Sequence, residues 1–194
     1  MEKERKRLYI IMCTLAVAVV GLSIAYAALS TQLSLTMSSV QNSPVTWAVG
    51  FQPGTVTGVA DGTSTTGLTC GDATVTASSV TVATTTLSKP DDSCRYALTI
   101  KNTGDIAAEL ASINPTQPSG ATCTTATGAT MVCGNITYKL TTDQAGETAL
   151  TSGGTLAAET GTLPVYLHIK YTGTTTGDTI SQTGGVFTLT YNQA

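Results

Sequence analysis

The sequence predicts an all-β fold, in which a jelly-roll or immunoglobulin-like β-sandwich follows an N-terminal hydrophobic helix. Only 11% of the 194 residues are charged and 5% are aromatic, whereas Thr, Ser and Gly are abundant, as in strands exposed on one face. After residue 29, runs of alternating apolar and polar residues are separated by turn sequences, and no amphipathic helical period occurs among them. This pattern is typical of both kinds of sandwich and does not distinguish between them.

Residues 1–27 are predicted to be a signal peptide or a membrane anchor. Four basic residues precede an uncharged apolar run over residues 8–29: Lys3, Arg5, Lys6 and Arg7. The run is long enough to cross a bilayer as a helix. Ala25-Tyr26-Ala27 has the small-x-small pattern that signal peptidase cleaves, which would leave Ala28 as the mature N-terminus. Because the run is longer than that of an ordinary signal peptide, a retained anchor is the alternative. In both cases residues 28–194 are exported.

A strand is predicted directly after the apolar run, over residues 29–38. Its polar positions alternate with an apolar face that carries Leu29, Leu33, Leu35 and Met37. Exposure of this face to water costs about 25 cal/mol per Å² of apolar surface. The strand therefore has to pair with its own domain or with the exposed edge of another copy.

The remaining strands are predicted in order along residues 39–194. Alternation is clearest over five ranges: 45–51, 94–101, 136–140, 163–171 and 186–191. Residues 73–87 form a β-rich run with a bulge or bend near Ser78-Ser79. Residues 106–113 contain helix-forming residues, but the turn Asn102-Thr103-Gly104-Asp105 before them favours a strand. Residues 55–71 and 114–134 are rich in Thr, Gly or Pro, which predicts short strands and an exposed loop in the first range and a loop in the second.

The cysteines predict disulfide bonds. Cys13 lies in the apolar run and serves there as a small hydrophobic residue. The other four lie in the exported part: Cys70, Cys94, Cys123 and Cys133. Three connectivities are possible, and we predict the sequential pairing because it closes the shortest loops. A zinc site is disfavoured, since no two cysteines are two residues apart and the chain has one histidine.

Charge and motifs argue against nucleic-acid binding and against catalysis. From Ala28 onward there are ten acidic and five basic residues, a net charge of −5, whereas nucleic acid requires a basic face. His168 is the sole histidine and is predicted to face solvent, opposite the inward residues of its strand. HExxH, Gly-x-Ser-x-Gly and Walker motifs are all missing. We therefore predict no enzyme, no catalytic residue, no metal and no cofactor.

Two further kinds of binding site are conceivable, a calcium site and a sugar platform, and each set of residues has a simpler structural interpretation. Five acidic residues fall in predicted turns and could supply calcium ligands: Asp61, Asp72, Asp91, Asp92 and Asp105. They lack the twelve-residue EF-hand spacing, which favours solvated turn aspartates. Trp47 could form a platform for a sugar, but its alternation with Val49 and Phe51 predicts a core residue.

Two segments resemble the TasA/camelysin group of exported bacterial proteins. The first is Ala25-Tyr26-Ala27-Ala28-Leu29-Ser30 followed directly by a strand, and the second runs from Tyr96 to Gly104 with Ala107 after it. The resemblance implies a jelly-roll-like sandwich that polymerises into surface or biofilm-matrix fibres, in which the N-terminal strand of each subunit completes the sheet of its neighbour. Camelysin-like proteins are also described as metalloproteases, a role that this sequence does not support. The two cysteine pairs depart from the group's pattern.

Three functions are therefore considered. The first is a structural subunit of an extracellular surface or biofilm-matrix fibre, a homopolymer formed by strand donation through residues 29–38. The second is a cell-surface domain, anchored in the membrane by residues 8–29, that binds glycan or protein. The third, which is the least favoured, is a camelysin-type metallopeptidase.

Overall fold

The structure is a computed structural model that describes residues 45–61, 67–174 and 185–194. These residues are all-β and contain no helix, which confirms the predicted all-β class. Residues 1–27 and the strand predicted at residues 29–38 lie outside the described residues. The strands are β1 (Val49–Phe51), β2 (Gly54–Val56), β3 (Val59–Asp61), β4 (Ala73–Val75), β5 (Val80–Val82), β6 (Ser93–Asn102), β7 (Ala108–Thr116), β8 (Cys123–Thr127), β9 (Thr130–Cys133), β10 (Ile136–Thr141), β11 (Thr155–Leu156), β12 (Thr162–Tyr171) and β13 (Val186–Gln193).

The strands pair in three antiparallel sheets. The large sheet has the order β1-β6-β12-β10-β9-β8, and β3 also pairs with β6. β1 and β3 share one edge of β6, since Val49 lies opposite Asn102 at one end of β6 and Val59 lies opposite Arg95 at the other. The second sheet has the order β11-β7-β13, and the third has the order β2-β4-β5.

Alternation along the three long strands of the large sheet explains how the core is built. In β6, every second side chain is buried: Cys94, Tyr96, Leu98, Ile100 and Asn102. Because alternate residues of a strand point to opposite faces, all five lie on one face of the sheet. β10 and β12 direct their buried apolar residues to the same face.

Two hydrophobic clusters lie on this inner face. The first joins the large sheet to the second sheet through Ile100, Leu110, Leu140, Leu156 and Val165, among others. The second cluster joins the large sheet to the third sheet through Ala73, Cys94, Tyr96, Ile136, Ile169 and Tyr171. β6, β10 and β12 contribute to both clusters, so these three strands hold the described core together.

One stretch agrees with its predicted bend near Ser78-Ser79, and another differs from its predicted structure. Residues 73–87 form the separate strands β4 and β5, joined by a turn in which Thr76 and Ser79 bond through their backbone and hydroxyl groups. Residues 114–134, predicted as a loop, contain the end of β7 and the hairpin β8–β9. Thr-rich segments of this kind form strands when a neighbouring strand is available to pair with them, and local composition does not reveal that neighbour.

Asn102 is a buried polar residue that fixes the connection after β6. Its amide nitrogen donates to the carbonyl oxygens of Ile106 (2.8 Å), Ala157 (3.1 Å) and Leu156 (3.4 Å), and its side-chain oxygen accepts from the Gly104 amide (3.0 Å). A buried amide group with partners on both of its polar atoms stabilises one backbone arrangement, because any alternative would leave these groups unpaired.

We expect Asn102→Ala to lower the free energy of unfolding by about 2–4 kcal/mol, since it leaves several buried backbone groups without a partner. Asn114→Ala is the matched control, because Asn114 is exposed and its side chain bonds to the Ser112 hydroxyl. The control should change stability by less than about 0.5 kcal/mol. Urea unfolding monitored by tyrosine and tryptophan fluorescence measures both values, and equal effects of the two substitutions would contradict the structural role of Asn102.

Candidate functional site

The outer edge of β13 is the strongest candidate for a functional surface. β13 pairs with β7 on one side, and on its other side no strand lies among the residues that the structure describes. An exposed strand edge presents unpaired backbone donors and acceptors and is a template for another strand. This edge therefore has the chemistry of a strand-binding site.

The backbone direction along β13 can be derived from its register. The Ala194 amide donates to the Ala107 carbonyl (3.0 Å), and backbone groups of successive residues alternate between the two sides of a strand. Even-numbered residues of β13 therefore face β7. Phe187, Leu189 and Tyr191 therefore direct their N–H and C=O groups to the outer edge. Pro115 lies opposite Phe187, at a pair that exchanges no backbone hydrogen bonds, and this fits because proline has no N–H to donate.

The core-facing side chains of β13 are only half buried. Phe187, Leu189 and Tyr191 pack against the first hydrophobic cluster, whereas Val186, Thr188 and Thr190 are exposed on the other face. The side chains of Val49 and Phe51, on β1, also pack against this cluster and are also half buried. The first cluster is thus incompletely covered on both sheets, in contrast to fully buried positions such as Leu110 and Val165.

Trp47 continues this pattern and corrects a prediction from the sequence. The residue is 41% exposed and Val45 is 58% exposed, so the prediction that Trp47 lies in the core is wrong. Trp47 and Val45 precede β1 and alternate in phase with Val49 and Phe51. Alternation indicates the face of a strand and carries no signal for how far that face is covered.

The hydroxyl of Tyr191, on β13, lacks a hydrogen bond among the described residues. Its oxygen is buried and has no hydrogen-bond partner among the described residues. Burial raises the pKa of Tyr191 to about 12, because the charged phenolate is poorly solvated there. A buried hydroxyl without a partner is unfavourable, so the polar contacts in this part of the described structure are incomplete.

Other exposed parts of the large sheet lack these features. The outermost strand β8 exposes Thr124, Thr125 and Thr127 and has no apolar face like that of β13. A cleft of about 250 Å³ lies between β2 and the middle of β6. It is lined by Gln52, Pro53, Gly54, Thr55, Val56, Val75, Ala97, Leu98 and Thr99. Neither place combines an open strand edge with a partly covered hydrophobic cluster.

Four cysteines lie in two pairs at bonding distance, Cys70 with Cys94 and Cys123 with Cys133. This is the sequential pairing that the sequence predicted. The first pair ties the segment before β4 to β6, and the second joins directly opposed residues of β8 and β9. Disulfides persist in oxidising compartments. The two cysteine pairs are therefore consistent with an oxidising environment outside the cytoplasm.

The predicted turn aspartates are dispersed and have structural partners. The Asp92 carboxylate accepts from the amides of Ser88 (3.0 Å) and Lys89 (2.9 Å), and Asp91 forms an ion pair with Lys170 (2.8 Å). Asp105 accepts from the amide (2.9 Å) and the hydroxyl (2.6 Å) of Thr46, and these bonds lower its pKa. Within the described ranges, no cluster of three or more His, Cys, Asp or Glu side chains could hold a metal ion.

His168 lies on the outer face of the large sheet, as predicted, but a turn covers it. The backbone of Asp143 bonds to the imidazole ring and Gly146 packs beside it, and the Nε2 atom is buried without a partner among the described residues. The prediction of a solvent-facing histidine is thus correct for the face and wrong for the exposure. The covering turn begins two residues after β10 ends, and strand alternation contains no signal for its path.

Searches of protein-family models, of curated proteins and of solved structures found no match to this chain. The resemblance to the TasA/camelysin group therefore rests on the two quoted sequence segments. In the described part of the chain, no helix has the length and apolar character that a membrane crossing requires.

Asp143, in the turn over His168, should make the stability of this turn dependent on acid. Its carboxylate accepts from the amides of Thr148 and Glu147, and these bonds lower its pKa to about 2. Because the folded pKa lies below the ordinary value of about 4, the carboxylate contributes stability above pH 4 that is lost as the pH falls towards 2. With His168 replaced by Gln in both proteins, so that the imidazole does not titrate, we expect the difference in urea midpoint between the chain with Asp143 and the chain with Asp143→Asn to be constant from pH 7 to pH 5 and to shrink at lower pH. A difference that does not change between pH 5 and pH 2.5 would contradict this assignment.

Proposed function

We propose that this protein is a structural subunit of an extracellular surface or biofilm-matrix fibre, and that it assembles when residues 29–38 of one copy add to β13 of the next. The observation that carries the proposal is the outer edge of β13, which has no strand partner among the described residues and borders an incompletely covered hydrophobic cluster. In this proposal the large and second sheets form a β-sandwich of the jelly-roll or immunoglobulin-like kind, completed by the added strand.

The two proposed partners have matching patterns. Residues 29–38 alternate with Leu33, Leu35 and Met37 on one face, and β13 alternates over eight residues with Phe187, Leu189 and Tyr191 towards the core. Addition of the strand would pair the outward N–H and C=O groups of β13. It would also place the donated apolar face over the open side of the first cluster, where each Å² of apolar surface removed from water contributes about 25 cal/mol.

The position at which the chain enters the domain permits donation to another copy. Thr46 is held by the carboxylate of Asp105, and residues 39–45 connect this fixed point to the predicted strand. Seven residues span at most about 25 Å, a reach that permits pairing with another copy or within the same copy, and the variants below distinguish the two. A donor segment and an acceptor edge at different places on one subunit make a head-to-tail contact, and such contacts produce open filaments unless the rotation closes a ring.

Export is consistent with the proposed fibre. The basic leader and the apolar run predict passage through the membrane, with residues 8–29 as the membrane contact before cleavage or without it. The paired cysteines suit an oxidising extracellular environment. We propose a non-enzymatic role without a cofactor and without nucleic acid, since neither the sequence motifs nor the described side chains form a recognisable catalytic group.

A second candidate is a membrane-anchored surface domain that binds glycan or protein. The observation in its favour is the exposure of Trp47, because exposed aromatic side chains are frequent in binding surfaces. In this alternative the leader is retained, residues 29–38 complete the sheet of their own domain, and the exported protein is monomeric.

We expect Leu189→Lys to reduce polymer formation at least tenfold while the subunit still folds. A lysine on the core-facing side of an edge strand opposes strand addition, and its ammonium can reach solvent through the open side. Thr188→Lys is the matched control, because it adds the same charge on the exposed face of β13 and should polymerise like the wild type. Gel filtration and intact mass of the exported proteins measure the outcome, and polymer from Leu189→Lys equal to that from Thr188→Lys would contradict the acceptor edge.

Variants of the donor strand distinguish donation between copies from pairing within one copy. Leu35→Asp should abolish polymer and Ser34→Asp should not, because the two substitutions add one charge to opposite faces of residues 29–38. A mixture of Leu35→Asp and Leu189→Lys should yield heterodimers, since the first retains an acceptor edge and the second retains a donor strand. If both variants remain monomeric in the mixture and the wild type is also monomeric, residues 29–38 pair within their own domain and the anchored surface domain is favoured.

A further inference from the structure

Three basic side chains form a row across the outer face of the large sheet. Arg95 on β6, His168 on β12 and Lys139 on β10 occupy directly opposed positions on three neighbouring strands. Side chains at such positions are close neighbours on one face of a sheet. Their face is the one opposite the two hydrophobic clusters, and it is distant in the topology from the outer edge of β13.

The turn formed by residues 143–148 folds over this basic row and is held by it. Arg95 Nη1 donates to the Gln144 carbonyl (3.3 Å), and Lys139 Nζ donates to the carbonyls of Gly146 (2.7 Å) and Glu147 (3.1 Å). The imidazole of His168 bonds to the backbone of Asp143. All three basic side chains therefore bind backbone carbonyl groups of one turn.

Close packing places this turn directly on the imidazole. Gly146 has a φ of +83°, and a Cβ atom built on it would lie 3.2–3.4 Å from three atoms of the His168 ring. Glycine suits this position because it adopts positive φ without strain and leaves room for the ring. The turn has little space to adjust when the charge or hydration of the ring changes.

The contacts of His168 fit the neutral imidazole. Its Nε2 atom is buried without a partner among the described residues, so Nδ1 is the atom that donates to the Asp143 carbonyl, and Nε2 carries no hydrogen. Protonation would add an N–H at Nε2 where no acceptor is available. The new charge would also lie between the fixed positive charges of Arg95 and Lys139.

The charged groups around His168 come from every element that packs against it. Arg95 and Lys139 oppose its protonation, and the Asp143 carboxylate in the turn favours it. Glu147 is the second acidic residue of the turn, and Tyr166 and Lys170 occupy the flanking outer positions on β12. Burial is the largest effect and lowers the pKa of His168, so the covered state binds a proton more weakly than an exposed histidine does.

We propose that His168 and the turn over residues 143–148 form an acid-operated latch, which is closed at neutral pH and opens when His168 is protonated. The sign follows from linkage. In the open state His168 returns towards its ordinary pKa of about 6.5, so protons bind preferentially to the open state and acidification below about pH 6.5 favours opening. One linked proton changes the opening equilibrium by at most about tenfold per pH unit. This proposal is independent of the proposed fibre.

Nuclear magnetic resonance of the full chain tests the latch directly, because His168 is the only histidine. We expect its imidazole to titrate with a midpoint below 6.5. Over the same pH range, the nuclear Overhauser contacts between Gly146 and the ring should disappear, and amide exchange in residues 143–148, corrected for its intrinsic pH dependence, should increase by up to tenfold per unit. Amides of β6 and β12 serve as the internal reference and should not change.

His168→Gln is the decisive variant. Glutamine keeps a hydrogen-bonding side chain but does not titrate, so exchange in residues 143–148 should not depend on pH between 7.5 and 5.0. Asp143 remains ionised in this range, because its pKa is about 2. The proposal is overturned if the turn in His168→Gln opens with the same pH dependence as in the wild type, or if the wild-type imidazole titrates while the Gly146 contacts and the exchange rates stay constant.

Discussion

The described structure depends on three long strands that are shared between two hydrophobic clusters. β6, β10 and β12 each place residues in both clusters, as Tyr96 and Ile100 do on β6. The second sheet covers one cluster and the third sheet covers the other, so neither small sheet has a core without the large one. At the end of β6, the Asn102 amide nitrogen donates to the Ile106 carbonyl, which precedes β7, and to the Leu156 carbonyl of β11.

The cover of the first cluster is incomplete at the β13 edge. Leu110 and Val165 in this cluster are at most 1% exposed, whereas its β13 side retains half-buried aromatic and aliphatic residues. The second sheet contains three described strands opposite a much wider sheet. One additional strand beside β13 would both pair its outer edge and extend the cover, which is why residues 29–38, with one apolar face, are the proposed occupant.

Local pattern predicted the elements well and their surroundings poorly. Alternation over residues 94–101, 163–171 and 186–191 corresponds to β6, β12 and β13, because the direction of a side chain depends on its own strand. The same alternation predicted the face of His168 but not its exposure, because the exposure depends on a turn that covers the ring. It also did not predict the exposure of Trp47. The sequence also did not predict that the core-facing side chains of β13 are half buried, because this exposure depends on the number of strands in the second sheet. The partners of Asn102 are also remote in sequence, and a turn motif alone does not reveal them.

The two proposed sites use different properties of a β-sheet and can therefore act independently. Strand addition at β13 uses backbone groups at an edge together with core-facing side chains, whereas the latch uses outward side chains in the middle of the large sheet. Residues 153–156, which follow the latch turn, bond to Leu110 and pair with β7 on the edge opposite β13. Because Leu156 is buried in the first cluster and anchors this segment, opening of residues 143–148 can remain local, and β7 keeps its register with β13. Acid would then change the outer face of the large sheet without releasing the strand that we propose as the acceptor.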